Sequence, residues 1–130
     1  MCLAKPTMED FMNEAQQLAD RYVAVWMETD AGRRRRAIEG LWVEDGEHYV
    51  DTRQAIGYAA LEDRVRGSHE KNVTNARNRF VAMPDARRLH NAVTFHWQML
   101  PADSETLLAS GFVFLIVNDV GRILVDYLFV

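Results

Sequence analysis

A single cysteine, Cys2, is all that the 130-residue chain offers for sulfur cross-linking. No intramolecular disulfide can form, so a reducing compartment is the expectation. Long apolar runs are missing too. In the second half the longest stretch free of charge and proline is 106–118, short of the about 20 residues that a bilayer span needs and interrupted by Ser110-Gly111. The N-terminal MCLAKPTMED meets acidic residues too early for a secretory signal. A cytoplasmic location is therefore expected, and the Asn72-Val73-Thr74 sequon has no consequence there. Excess positive charge is also absent. The net charge of -4 disfavours nucleic acid or an anionic membrane as partner. There is no Gly-rich phosphate loop, no nucleophile elbow and no CxxC, and no cofactor is expected.

Metal ligation finds little support in the four histidines. His90 and His96 fall on one face of a strand but about 20 Å apart along it, and His48 and His69 have no partner at ligand spacing. The run Arg33-Arg34-Arg35-Arg36 points charges all around a helix, which predicts a solvated surface.

What is present is the mixture of one soluble globular domain, 48% hydrophobic and 26% charged. Residues 1–7 are expected to form a disordered tail. Thr7 and Asp10 make a capping pattern after Pro6, and Phe11, Ala15, Leu18, Tyr22, Val25 and Trp26 follow at spacings of three and four. They predict a long helix with one apolar face. After Asp30-Ala31-Gly32 a second helix runs to about Trp42, with Ile38, Leu41 and Trp42 inward. Asp45-Gly46 reads as a turn before a strand over 47–51, and a third helix spans about 56–70.

The period then changes to two. Strands are predicted over 75–83, 89–100, 107–117 and 122–130, separated by Pro84-Asp85, Pro101-Ala102-Asp103-Ser104 and Asn118-Asp119-Val120-Gly121. The strand 107–117, apolar on both faces, is expected to be central and covered twice. Helices followed by meandering strands predict an α+β fold: a cone-shaped, curved, antiparallel sheet of mixed edge, with about three N-terminal helices on its concave face. A long helix across a bent sheet leaves an apolar hollow at one end, the default place for a small-molecule site. On the convex side Phe112, Phe114, Ile116, Tyr127 and Phe129 would remain exposed, which predicts a homodimer packed sheet to sheet.

Several segments resemble the nuclear transport factor 2-like superfamily, and within it the SnoaL-like proteins, with ketosteroid isomerase more distant. They are Arg21-Tyr22-Val23-Ala24-Val25-Trp26, Gly40-Leu41-Trp42-Val43-Glu44-Asp45, Tyr49-Val50-Asp51, Gly57-Tyr58-Ala59-Ala60-Leu61 and Asp119-Val120-Gly121-Arg122-Ile123. The resemblance spans about residues 8–130. Its members include isomerases, dehydratases, cyclases, epoxide hydrolases and non-catalytic modules, so it implies a fold more than an activity.

Carried over by position, the resemblance puts Tyr22 where the isomerases hold an oxyanion-binding tyrosine and Asp51 where they hold the general base. Val113 falls where those enzymes have a second, protonated acid, the arrangement that serves as the general example of a carboxyl group kept neutral by an apolar site. The same alignment turns Asp126 and Leu128 toward the cavity, and Trp26, Phe95 and Trp97 are candidates for its wall. Each has a plainer alternative: Asp51 as a turn residue, Tyr22 as a core tyrosine, Asp126 as an edge aspartate, the aromatics as core. Three functions stay open. One is a cofactor-independent proton-transfer enzyme, an isomerase, dehydratase or cyclase, acting on an apolar carbonyl compound. The others are a binding domain for an apolar small molecule and a scaffold or small subunit.

Overall fold

The computed structural model describes residues 5–130, the side chain of Phe11 excepted. Cys2, most of the expected N-terminal tail and the apolar side chain at position 11 lie outside the described residues.

Helix α1 (Met8–Met27) opens with a reciprocal cap. Thr7 Oγ1 accepts from the Asp10 backbone at 3.1 Å while Asp10 Oδ2 accepts from the Thr7 N–H at 2.9 Å. Its buried face carries Ala15, Leu18, Ala19, Tyr22, Val23, Val25 and Trp26, as the spacing predicts. Helix α2 (Ala31–Leu41) starts on Asp30, whose Oδ2 accepts from the Arg33 N–H at 2.8 Å. The arginine run is not wholly a solvated face, since Arg34 is buried and donates to the Glu28 carbonyl at 2.9 Å.

Trp42 ends α2 and begins strand β1 (Trp42–Val50), longer than the strand expected over 47–51. Asp45-Gly46 is not a turn. The register against the last strand shifts between Trp42 and Glu47, so the dipeptide sits in an irregularity where buried Gly46 lies against Trp42. Asp51-Thr52 then forms a two-residue hairpin turn into β2 (Arg53–Ile56), which the sequence does not announce. Helix α3 (Tyr58–Ser68) follows Gly57, whose φ of 86° suits glycine, and continues as a π-helical segment, His69–Asn75.

The remaining strands are β3 (Asn78–Ala82), β4 (Arg87–Leu89), β5 (Ala92–Pro101), β6 (Ala109–Val117) and β7 (Ile123–Phe129). The strand expected over 89–100 is two elements, because His90 takes a left-handed φ of 52° and folds β4 back on β5. The sheet order is β2-β1-β7-β6-β5-β3, with β4 also on β5. Among the described residues only the β1–β7 pair is parallel.

Strand β6 is central, but it is not covered twice. Val113, Leu115 and Val117 are buried beneath the helices, while Phe112, Phe114 and Ile116 are half-exposed on the convex side. Arg122, just before β7, ties this strand to α2 by donating to the Glu39 and Trp42 carbonyls at 2.6 and 2.7 Å. That satisfies carbonyls at the C-terminus of α2 with a cation, the arrangement a helix end favours. The core between α1 and the sheet centres on Tyr22, whose ring lies 5.7 Å from Trp42 and 5.6 Å from Phe95.

Candidate functional site

The open end of the cone holds a cavity of about 510 Å³. Tyr22, Val23 and Trp26 of α1 line one side, Phe80, Trp97, Met99, Val50 and Leu128 of the sheet another, and Arg64, Ser68, Lys71 and Asn72 the third. Such a mostly apolar lining with a few polar groups suits a small organic molecule. Of the expected wall residues, Trp26, Trp97 and Leu128 face the cavity, whereas Phe95 and Val113 are packed in the core behind it.

A buried polar cluster adjoins this wall. Asp126, fully buried on β7, accepts at Oδ2 from the Tyr22 hydroxyl at 2.8 Å. The same oxygen lies 2.6 Å from Nδ1 of His48, also buried and paired with Asp126 across the parallel β1–β7 register. One proton lies between the two groups, on Nδ1 when the carboxylate is ionised and only accepts. Oδ1 of Asp126 and Nε2 of His48 are left without hydrogen-bond partners. Such orphans are uncommon in a protein interior and call for a functional or solvent explanation. Burial first, then the charge and hydrogen bond of Asp126, push the Tyr22 phenol well above its ordinary pKa. Tyr22 is therefore a neutral donor throughout the physiological range.

Asp126 and His48 lie one pleat behind the wall. Leu128 and Val50, also partners across β1 and β7, line the cavity two residues further along each strand. That step is about 7 Å. Beyond the cluster a ring contact continues outward: His48 packs against Trp26 at 5.6 Å, and the Arg64 guanidinium lies over Trp26 at 4.9 Å.

Asp51 is not brought to this group. It occupies the β1–β2 turn with φ 51°, a left-handed conformation that aspartate tolerates, and its side chain is 56% exposed beside Arg53 at 3.7 Å. Of the three residues expected to share the chemistry, Tyr22 and Asp126 meet and Asp51 stands apart. His48 is the member that sequence reasoning missed. Its signal was an imidazole on the same strand face as Val50, but its partner depends on a parallel pairing between distant segments. His96 faces outward, held by Asp85 and packed against Phe112. Among the described residues no three His, Cys, Asp or Glu side chains converge as a metal site would require, and no helix is long and apolar enough to cross a membrane.

Helices on one side of a strongly curved mixed sheet recur in solved structures. A SnoaL-like family protein from Agrobacterium tumefaciens, described as a candidate isomerase, superposes with a TM-score of 0.81 at 24% identity, over 90% of this chain and 97% of that one. A protein of unknown function from Exiguobacterium, described as nuclear transport factor 2-like, gives 0.65 at 16% identity over 86% and 96%. This chain has the nuclear transport factor 2-like fold. A candidate polyketide cyclase from Sinorhizobium meliloti shares it, with a TM-score of 0.63 at 10% identity over 88% of this chain and 97% of that one. Among these the similarity is greatest to the SnoaL-like protein. No family model matches the sequence, and no curated protein does. At these identities the nuclear transport factor 2-like likeness is one of architecture, and activity has to be argued from the site.

Proposed function

We propose that this protein is a cofactor-independent enzyme that moves a proton on an apolar, carbonyl-containing small molecule, with Asp126 as the base. The supporting observation is the asymmetry of Asp126. Two donors hold Oδ2, and Oδ1 is buried with no partner. A carboxylate oriented through one oxygen presents the other, poorly solvated, to an incoming C–H acid.

In this reaction Oδ1 takes the proton α to the carbonyl, and the electron pair of the C–H bond moves onto the carbonyl oxygen as an enolate. Once protonated, Asp126 no longer needs both donors at Oδ2. The Tyr22 hydroxyl is then free to turn toward the enolate oxygen, while His48 keeps the carboxyl group in place. Return of the proton to a different carbon gives isomerisation; its delivery to a departing β-hydroxyl, lost as water, gives dehydration; and attack of the enolate on a second carbonyl, whose oxygen takes the proton, gives cyclisation. The candidate isomerase and the candidate polyketide cyclase with this fold agree with that range of chemistry.

The position of Asp126 and His48 one pleat behind the wall favours a second reading, a domain that binds an apolar ligand without turnover. Deuterium exchange at the α-carbon of 2-tetralone, followed by proton NMR in D2O, separates the two. Acceleration by the wild type that falls on the order of 10²–10⁴-fold in Asp126→Asn supports the base. Exchange at the buffer rate, with 2-tetralone nevertheless bound, leaves the binding domain.

The convex face goes with a second copy of this chain in a reducing cytoplasmic setting. Phe112, Phe114, Tyr127 and Phe129 form one aromatic patch there, with Tyr127 41% and Phe129 58% exposed. A two-fold axis through such a patch would cover it with itself.

A further inference from the structure

The mouth of the cavity carries more cationic than acidic side chains. Arg53, Arg64 and Lys71 line it, and Asp63 is the single acidic side chain among the lining residues, which also include the terminal Val130. Arg53 is taken up by Asp51 at 3.7 Å, and Asp63 is turned to Arg66 at 2.8 Å. Among the described residues no carboxylate stands at ion-pair distance from Arg64 or Lys71. This happens in a chain with 19 acidic and 15 basic residues, where a cation without a counter-charge is not a matter of composition.

Arg64 is also built into the wall. Its guanidinium lies over the Trp26 ring at 4.9 Å, and its Nε is buried with no hydrogen-bond partner. Its place over an aromatic face is favoured by the ring's negative π-surface and leaves its N–H groups to be satisfied from the cavity. Burial, and next the neighbouring Arg53 charge, pull the Arg64 pKa down, while Tyr22, Asp126 and Asp51 act weakly in the other direction. Partial desolvation without a paired anion is costly, and a bound carboxylate would relieve it.

We infer that the cavity selects an apolar ligand bearing one carboxylate, which Arg64 receives through its guanidinium edge with Lys71 beside it. The carboxylate is matched to a planar fork better than a point charge would be. The apolar body lies inward along Phe80, Trp97, Met99 and Leu128. Asp126 sets the orientation, because a second carboxylate at the deep end would repel the ligand's own; the anion stays at the mouth and the opposite end of the molecule goes down. This rests on the reading of the cavity as a ligand site, but not on turnover at Asp126.

A matched pair of probes tests it: 2-naphthoate and its neutral isostere 2-naphthamide, titrated calorimetrically into the wild type, Arg64→Gln and Lys71→Gln. The wild type is expected to bind 2-naphthoate about tenfold or more tightly than 2-naphthamide, about 1.4 kcal/mol by conversion. That preference should shrink as salt is raised. Arg64→Gln should bring the two probes to equal affinity, 2-naphthoate losing far more than 2-naphthamide, and Lys71→Gln should narrow the gap by less. Equal affinities in the wild type overturn the inference while leaving the cavity a ligand site, and this arm needs no variant to fold. A preference that survives Arg64→Gln in a folded protein overturns the assignment to Arg64. Failure of both probes to bind overturns the inference and the cavity reading together.

Discussion

The Tyr22 hydroxyl donates to Oδ2 of Asp126 over 2.8 Å, joining the first helix to the last strand across 104 positions of sequence. Both groups are buried, so neither can exchange this bond for water without the core opening. A hydrogen bond to a charged group contributes about 1.5–3 kcal/mol, and contacting residues couple when both are changed. A double-mutant cycle of Tyr22→Phe and Asp126→Asn in urea denaturation should show a coupling of about 1 kcal/mol or more. Additive effects would mean that the bond contributes nothing in solution.

Alkaline pH provides a separate check on Tyr22. Its folded pKa is raised well above 10.0, chiefly by burial, while the unfolded chain titrates near the ordinary value. Below about pH 10 both states hold the proton and stability is unaffected. Above it the unfolded state releases the proton first, so the stability of the fold falls as pH rises, by about 1.4 kcal/mol per pH unit for one such group. The wild type should therefore lose stability more steeply between pH 10 and 11 than Tyr22→Phe does. Parallel slopes for the two proteins would place Tyr22 in water.

Gly111 stands opposite Trp97 in the β5–β6 ladder, where an added Cβ would overlap both the indole ring and the Phe129 carbonyl. Gly111→Ala must push Trp97 off its place in the cavity wall. We expect a loss of about 1–3 kcal/mol in urea denaturation. A changed near-ultraviolet tryptophan circular dichroism spectrum should accompany it. Wild-type stability and an unchanged spectrum would show that the strands can part there freely.

The convex face predicts its own disruption. Phe114→Asp, at the centre of the patch, and Phe129→Asp, at a position already 58% exposed, should each convert a dimer to a monomer in light scattering. Phe129 is too exposed for its loss to threaten folding, so that variant reads the interface alone. A wild type that runs as a monomer at micromolar concentration would exclude this face as a dimer contact.

Local chemistry explains what could be read directly. The capping box at Thr7, the apolar stripe from Ala15 to Trp26 and the alternation through Val93, Phe95 and Trp97 depend on neighbours a few residues away. The same short-range logic failed at Asp45-Gly46, where a turn signal became a strand irregularity. It failed again at His90, where one left-handed residue split an apparently continuous strand. Gly and Asp permit several backbone conformations, and tertiary packing chooses among them.

The site divides along the same line. The resemblance, carried on short motifs, directed Asp126 and Leu128 inward, and helical spacing put Tyr22 and Trp26 on one face. A motif and a period are both written in consecutive residues. That His48 would stand opposite Asp126 was not, because it depends on β1 pairing in parallel with β7 at the other end of the chain. Nor was the separation of Asp51 from Tyr22, which follows from the hairpin that turns Asp51 out beside Arg53. The sequence by itself determined which faces are apolar; the tertiary structure alone decided which polar groups meet behind them, because buried hydrogen bonds and charges find their partners through space.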